Sequence, residues 1–331
     1  MPNSDLPPEL IGIGSPLVDL LLTVDDSFLV KHVTGSKGGM ELVGPAEIES
    51  LLKKAKKDSV RAAGGAASNT TVGCANLGIR SAFVGSIGRD DYAAFFRDAL
   101  LAQGCEPRLI EHGELPTGHV LSMVTPDSQR TMRTCLAAAA ALDPAAITAE
   151  TFAGAKLVML EGYTLFNHDL TRAIATAAKA AGCQLALDMA SFEVVMANKA
   201  ILEELLSGQV DLVFANEDEA KAWHADGAEA ALADLASRTT LAVVKLGRAG
   251  ALIQRDSERV HVAAELVEAI DTTGAGDCWA AGFLAGYLRG LPLEQCGALG
   301  AKSGAAVVQV MGGQVSRENW LTIKGYLDAW S

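Results

Sequence analysis

Positive charge is scarce in this sequence. Its 331 residues include 27 Lys and Arg against 40 Asp and Glu, which gives a formal net charge of −13. Surfaces that bind nucleic acid or anionic membranes need clustered Lys and Arg, so this balance argues against both partners. Charged residues make up only 20% of the chain and hydrophobic residues 50%, a composition that excludes an intrinsically disordered protein. We therefore predict one folded domain over residues 1–331.

Long hydrophobic runs are missing as well. The most apolar stretch, Cys135–Leu142, is far shorter than the ~20 residues that a membrane span requires. The opening MPNSDLPPEL contains no Lys or Arg and so lacks the charged start of a signal peptide. The six cysteines form no CxxC pair, which argues against a zinc ribbon and a disulfide framework. We expect a soluble cytoplasmic protein.

Several catalytic signatures are also absent. The sequence contains no GxxxxGK[ST] phosphate loop, no HExxH zinc motif and no GxSxG nucleophile motif. Gly12-Ile13-Gly14 follows a strand-like run, but Leu17 occupies the last glycine position of a dinucleotide fingerprint. An oxidoreductase that binds a dinucleotide is therefore disfavoured.

Apolar runs of strand length alternate along the chain with longer Ala-rich segments of helical spacing, such as Leu170–Ala181. This alternation predicts βαβ units and a buried parallel sheet. The predicted fold is therefore α/β and doubly wound. The runs are Leu10–Gly14, Ala82–Ile87, Lys156–Leu160, Gln184–Asp188, Val210–Ala215 and Leu241–Leu246.

Two stretches, at about 16–42 and 115–134, interrupt this rhythm. The first alternates apolar and polar residues up to a Gly-rich turn, and the second has two strand candidates around Pro126-Asp127-Ser128. We predict that both form β-ribbons outside the main sheet. Because long excursions from a compact domain are often functional, we interpret them as a small lid.

The segment Asp271–Asp277 reads DTTGAGD and leads into an apolar helical pattern. A Gly-Ala-Gly turn that enters a helix presents free backbone amides at the positive end of the helix dipole, where phosphate binds well. A carboxylate at the same place, Asp277, suits a group that accepts the proton of an attacking hydroxyl. The structural alternative is a helix with small residues for close packing, which Gly282 and Gly286 favour.

A second segment, Gly64–Asn69, reads GGAASN. A Gly pair before a helix lets the backbone approach a ligand closely, and the Asn69 amide could both donate and accept hydrogen bonds. The alternative for this segment alone is a plain turn with a helix cap.

Together the two segments resemble the two signatures of the PfkB (ribokinase-like) carbohydrate kinase family. From Gly64 the sequence reads GGxAxNxT with Gly78 and Gly88 at the family's spacing, and DTTGAGDxxxAGFL follows in the expected order. The resemblance covers essentially the whole chain. It implies a ribokinase-like, mostly parallel sheet flanked by helices, with a β-ribbon lid, and transfer of the γ-phosphoryl group of ATP to an alcohol of a sugar or nucleoside.

The resemblance also implies roles for individual residues. Asp277 would be the general base, and the amides of Gly274, Ala275 and Gly276 would form the anion hole. Phosphoryl transfer relies on positioning and charge stabilisation, which agrees with these assignments.

Two further elements concern the nucleotide. Asn216 and Glu219 resemble the family's NxxE element and would organise the Mg²⁺ shell through water, since Mg²⁺ keeps several waters. The alternative is that this acidic stretch only favours the first turn of the next helix. Lys245 and Gly247 resemble the stretch by which relatives approach the nucleotide.

For the acceptor, Asp19 matches the family aspartate that holds sugar hydroxyls, since one carboxylate can accept from two vicinal hydroxyls. Gly64, Gly65 and Asn69 would complete this contact, and Ser15 and Tyr163 are further candidate substrate-binding residues. In the second ribbon, Arg130 resembles a lid arginine that reaches the phosphates, and Arg133 competes for that role.

Several family members need a monovalent cation. Asp271 and the backbone around Val308–Ser316 are the stretch where relatives bind one. A K⁺ requirement is therefore a hypothesis for this chain.

Within the family, the details favour the adenosine kinase branch, and adenosine is the first candidate substrate. Three departures leave a sugar such as fructose, ribose or 2-keto-3-deoxygluconate as the alternative: Ser15, Ala66, and Tyr163 as a single aromatic where two are usual. A non-catalytic sensor on the same fold is a further alternative, disfavoured by the intact Asp277. Monomer and homodimer both remain open.

Overall fold

The computed structural model describes residues 6–127, 129–310, 312 and 315–331. The strands are β1 (Leu10–Ile13), β2 (Leu17–Thr23), β3 (Met40–Leu42), β4 (Val60–Gly64), β5 (Ser81–Ile87), β6 (Cys105–Glu111), β7 (Gly118–Val124), β8 (Arg130–Cys135), β9 (Leu157–Glu161), β10 (Gln184–Asp188), β11 (Leu212–Asn216), β12 (Leu241–Lys245), β13 (Ala251–Arg255) and β14 (Glu258–Val262). The α-helices are α1 (Asp26–His32), α2 (Pro45–Ala55), α3 (Ala66–Asn76), α4 (Asp91–Ala102), α5 (His168–Ala180), α6 (Phe192–Ala197), α7 (Lys199–Leu206), α8 (Glu217–Trp223), α9 (Ala228–Arg238), α10 (Ala275–Leu288), α11 (Leu293–Val308) and α12 (Arg317–Trp330).

Nine strands form the main sheet, in the order β14-β13-β12-β11-β10-β9-β1-β5-β6. All pairs from β12 to β6 are parallel, and β13 and β14 extend the sheet as an antiparallel hairpin. The predicted doubly wound, mostly parallel sheet is confirmed, and each of the six apolar runs is one of its strands. The edge strand β6 escaped prediction because it contains Pro107 and is only partly buried, so its sequence is not an apolar run.

Helices cover both faces of this sheet. Successive residues of a strand point to opposite faces, so Leu10 packs in one core and Ile11 in the other. Helices α5 to α9 bury side chains such as Ile174 and Leu232 against one face. The opposite face packs against α10, α11 and α12, which bury Phe283 and Trp320. This two-sided burial is what makes the central strands continuously hydrophobic.

A second sheet of five strands, in the order β3-β8-β7-β2-β4, carries its own core. It contains strands from both predicted lid stretches, and it also includes Val60–Gly64, which lies outside them. One part of the first stretch is helical rather than a β-ribbon, namely α1. The carboxylate of Asp25 caps this helix by accepting from the Phe28 amide at 2.8 Å, and this local cap overrides the apolar alternation.

Helix α10 is buried on every side over residues 278–286. It packs between the sheet, α3 and α11, and a Cβ at Gly282 would overlap the Leu299 carbonyl of α11. Gly282 therefore allows close packing between α10 and α11, which is the structural alternative for this residue. Because α10 is enclosed, its first turn is held rigidly at the carboxyl-terminal edge of the main sheet.

In the described part of the chain, no helix is both long enough and apolar enough to cross a bilayer. The six cysteines are buried and form no disulfide.

Candidate active site

Several strands end at one edge of the main sheet, and each delivers a polar side chain there. Glu161 ends β9, Asp188 ends β10, Asn216 ends β11 and Lys245 ends β12. The first turn of α10, with Asp277, lies at the same edge. In open α/β sheets, ligands bind outside the carboxyl ends of the strands, so this edge is the candidate site.

A cavity of about 480 Å³ opens at this edge. Its polar lining residues include Asp188, Asn216, Glu219, Lys245, Gly274, Gly276 and Asp277. Its apolar lining residues include Leu266, Val267, Ala301, Ala305 and Val308. Gly247 and Arg248 also line it. The cavity therefore suits a ligand that carries both an anionic group and a flat or apolar group.

The turn before α10 presents backbone amides to this cavity. Gly274 adopts the left-handed conformation at φ +74°, which starts the helix sharply. The amide of Ala275 donates to the Thr272 carbonyl at 3.2 Å. Within the described residues, the amides of Gly274 and Gly276 have no protein acceptor. Those two amides are therefore free for an anion, while that of Ala275 is engaged in this arrangement.

Asp277 is partly buried and lines the cavity. The side-chain amide of Asn69 donates to its Oδ2 at 2.9 Å, and Thr70 donates to its backbone carbonyl at 3.2 Å. Burial raises the pKa of Asp277 to about 7, with a further contribution from the charge of Asp188, while the Asn69 hydrogen bond acts in the opposite direction. A carboxylate whose pKa lies near neutrality is suited to accept a proton.

Lys245 brings positive charge to the turn. Its Nζ lies 2.8 Å from Oδ2 of Asp188 and would stand 3.1 Å from a Cβ at position 276, so glycine there leaves the amine close to the Gly276 amide. Burial lowers the pKa of Lys245, but the charges of Asp188 and Glu219 outweigh this and hold the pKa above its ordinary value. The amine therefore stays charged beside the anion-binding turn.

Asn216 and Glu219 form a reciprocal cap at the start of α8. Oδ1 of Asn216 accepts from the Glu219 amide at 2.9 Å, and the Glu219 carboxylate accepts from the Asn216 amide at 2.7 Å. The segment therefore does stabilise the first turn of α8, which was the structural alternative to a role in Mg²⁺ binding. Both side chains nevertheless line the cavity, and burial next to Asp188 raises the pKa of Glu219.

The residues predicted to bind the acceptor lie on the small sheet and at the start of α3. Asp19 on β2 is partly buried, and loss of solvation raises its pKa to about 6, while the charge of Arg130 acts to lower it. A Cβ at Gly64 would overlap the Asp19 carboxylate, and Gly65 has φ +98° with its Cβ position blocked by the Ser15 carbonyl. The two glycines thus allow the backbone to approach Asp19 and Ser15 closely, as the sequence motif requires.

A model of the pfkB family of carbohydrate kinases matches residues 33–320. The chain belongs to this family. The predicted resemblance is confirmed, and the protein is a kinase that phosphorylates an alcohol group.

Similar proteins include some named as adenosine kinases and some named as sugar kinases. It is 34% identical to the adenosine kinase of Sinorhizobium meliloti, with a TM-score of 0.85 and coverage of 96% of this chain and 99% of the other. A probable sugar kinase from Rhizobium etli is 32% identical, with a TM-score of 0.86 and coverage of 96% and 98%. The adenosine kinase of Schizophyllum commune is 27% identical over 92% of this chain and 96% of its own length. The predicted ribokinase-like fold is confirmed by these structures.

Not every predicted residue reaches the large cavity of the kinase. Tyr163 lies in a short 3₁₀ turn, Gly162–Phe166, is 46% exposed and does not line that cavity. Arg130 contacts Asp271 and the Thr273 hydroxyl, in the loop before the anion-binding turn. The other candidate, Arg133, is buried on β8 and pairs with Glu41 of β3 and Glu47 of α2.

The predicted cation stretch around Asp271 is only partly described. Met311, Gly313 and Gln314 lie outside the described residues. Asp271 itself accepts from the amides of Thr273 and Gly312, at 3.0 and 2.9 Å. These bonds outweigh the effect of burial and lower the pKa of Asp271, so it is ionised at neutral pH.

Two residues of the site escaped the sequence analysis. The fully buried carboxylate of Glu161 accepts from the Ser15 amide at 2.7 Å and the Ala67 amide at 3.1 Å. It thereby joins the loop after β1 to the start of α3. The second residue is Asp188, the partner of Lys245. In both cases the signal available was an acidic residue that ends a buried parallel strand.

Proposed function

We propose that this protein transfers the γ-phosphoryl group of ATP to the hydroxymethyl group of a nucleoside, with adenosine as the first candidate. The observation that carries the reaction is Asp277, a partly buried carboxylate with a pKa near neutrality beside the free Gly276 amide and the charged Lys245. The names of the Sinorhizobium and Schizophyllum relatives support adenosine.

ATP suits the 480 Å³ cavity better than the acceptor does. The phosphates of ATP match the Gly276 amide and Lys245, and the apolar lining residues Leu266 and Val308 suit its base. The acceptor would lie on the other side of Asp277, between Asp19, Gly64 and Asn69. In this proposal, the acceptor hydroxyl and the γ-phosphoryl group would lie on either side of one carboxylate.

In the proposed reaction, Asp277 takes the proton of the acceptor hydroxymethyl group as its oxygen forms a bond to the γ-phosphorus. The bond between the γ-phosphorus and the bridging oxygen breaks, and ADP leaves with that oxygen. The free amides of the turn and the Lys245 amine stabilise the charge on the moving phosphoryl group. A small sheet that covers the acceptor would exclude water and so prevent ATP hydrolysis.

The site also needs positive charge from outside the chain. Asp188, Glu219 and Asp277 gather near Lys245, and Glu161 lies near Asp188 and Asp277. The pKa values of Glu219, Asp277 and Glu161 are raised. Within the described residues, no cluster of three His, Cys, Asp or Glu side chains is arranged to hold a metal directly. Mg²⁺ keeps most of its waters and is usually held with the substrate phosphates, which fits this sparse donor set. Asn216 and Glu219 would hold it through water, where it neutralises phosphate charge.

The direct test is ADP release with Mg-ATP across adenosine, inosine, guanosine, ribose, fructose and 2-keto-3-deoxygluconate, with Asp277→Asn as the blank. Turnover with adenosine, at least tenfold above the sugars in kcat/KM, supports the proposal. Turnover with a sugar alone would contradict it and favour the sugar kinases, the class to which the Rhizobium relative's name points. Binding without any turnover would favour the sensor.

A further inference from the structure

Arg130 connects the small sheet to the loop that precedes the anion-binding turn. It is the first residue of β8, and its guanidinium donates to the carboxylate of Asp271 and, at 3.0 Å, to the hydroxyl of Thr273. The Arg130 and Asp271 side chains are 15% and 9% exposed. Arg130 is thus a largely buried, charged contact between two parts of the chain that are 141 residues apart.

The Asp271 carboxylate is fully engaged in this contact. Its Oδ1 accepts from the Thr273 amide at 3.0 Å and from the Thr273 hydroxyl at 2.8 Å. Its Oδ2 accepts from Arg130 and from the Gly312 amide at 2.9 Å. A carboxylate offers about four lone-pair sites, and here four donors occupy them. A monovalent cation at Asp271 therefore does not fit this arrangement unless a donor leaves.

We propose that Arg130 is a positioning residue that holds the loop 271–274 through Asp271. Family resemblance places a monovalent cation at Asp271, and because Arg130 takes over that position, catalysis needs no K⁺. This inference rests on the proposed phosphoryl transfer, because the loop ends at Gly274, whose amide faces the transferred group. A guanidinium carries a permanent charge and several fixed donors, so it can order a loop as a bound cation would. Ordered amides stabilise developing charge at no further cost during the reaction.

The arrangement has a consequence that a bound cation would lack. Because the guanidinium belongs to the small sheet, its bonds to the loop exist only while the small sheet lies over the site. The anion-binding turn therefore reaches its working geometry together with the cover of the acceptor. Phosphoryl transfer to water in the absence of acceptor would be suppressed in this way.

The first experiment compares the wild-type protein in KCl and in tetramethylammonium chloride at equal ionic strength. We expect kcat to agree within about twofold and the melting temperature to be unchanged, because Arg130 rather than K⁺ occupies the Asp271 carboxylate. A tenfold loss of kcat without K⁺, or a melting temperature that K⁺ raises specifically, would overturn the proposal. The melting measurement needs no turnover, so it tests Arg130 even if the proposed function fails.

The second experiment uses Arg130→Ala, with Arg133→Ala as the matched control from the same strand. Loss of a charge-assisted hydrogen bond should lower kcat by about 10- to 100-fold in Arg130→Ala. Guanidinium at a non-denaturing concentration should restore part of kcat in this variant and none in Arg133→Ala, whose arginine pairs within the small sheet. A folded Arg130→Ala with wild-type kcat, or with a loss that guanidinium leaves unchanged, would contradict a positioning role.

Discussion

The hydrogen bond from Asn69 to Asp277 should set the pH at which the kinase becomes active. Asp277 must be ionised to accept a proton, and its pKa is about 7 with Asn69 acting to lower it. We therefore expect kcat/KM to rise with pH through about 7 in the wild-type protein. In Asn69→Leu, which keeps the size of the side chain and removes the donor, this rise should move to higher pH.

The strength of the hydrogen bond from Asn69 to Asp277 determines how far the midpoint of the pH profile should shift. A hydrogen bond to a charged group contributes about 1.5–3 kcal/mol, and 1.36 kcal/mol corresponds to one pH unit, so the midpoint should rise by about one to two units. At pH 7 about half of Asp277 is ionised in the wild-type protein, against about 1–10% in Asn69→Leu. The expected loss at pH 7 is therefore about 5- to 50-fold, and it should shrink as the pH rises through 9.

The assay is the pH profile of kcat/KM from coupled ADP release. Thr70→Val is the matched control, because Thr70 donates to the backbone carbonyl of Asp277 and leaves the carboxylate untouched. This variant should lose about 1 kcal/mol of folding free energy with no change in the midpoint. If Asn69→Leu instead lowers kcat/KM by one constant factor at every pH, Asn69 only contacts substrate and the reasoning about Asp277 is refuted.

Three other substitutions test the site. Asp277→Asn should lower kcat by roughly 10²–10⁴, and normal turnover would exclude Asp277 as the base. The same variant should have a free energy of unfolding up to about 4 kcal/mol higher than the wild-type protein at pH 8, and urea unfolding should show that this gain is lost as the pH falls from 7 to 4. Lys245→Met should cost about 3–5 kcal/mol of stability because it leaves Asp188 buried without its partner. The double variant Lys245→Met/Asp188→Asn should have a higher melting temperature than Lys245→Met, and a lower one would refute the pairing argument. Glu161→Gln leaves one buried amide without a hydrogen-bond partner, so the KM for the phosphoryl acceptor should rise by about tenfold while the KM for ATP stays constant. An equal rise in both KM values would refute the assignment of Glu161 to the phosphoryl-acceptor side.

The sequence predicted the main sheet, because buried parallel strands are recognisable as apolar runs. Asp277 and the glycines could be proposed from the sequence, since turn chemistry and a carboxylate occur together in one short segment, and they stay a prediction. Glu161 was not, because its function depends on two backbone amides that are far away in sequence. An acidic residue at a strand end does not reveal which amides it will meet.

The two arginines of β8 show a different limit. Arg130 and Arg133 are three positions apart, so their side chains leave a strand on opposite faces. The alternation alone does not say which face points to the site, and that depends on where Glu41 and Glu47 pack. In α1, by contrast, one local interaction was decisive: the Asp25 cap favours a helix where hydrophobic alternation indicated a strand.

The site is also a long-range product of folding. The hydrogen bond between Asn69 and Asp277 joins residues 208 positions apart, and α3 packs directly on α10. At synthesis rates of about 5–20 residues per second, α3 waits on the order of 10–40 s for its partner helix to be made. During that time Cys74, which is fully buried in the finished protein, has no α10 to cover it. The nascent chain thus presents an uncovered helix to the ribosome-associated chaperones, and enzyme activity appears only after nearly the whole chain has been synthesised.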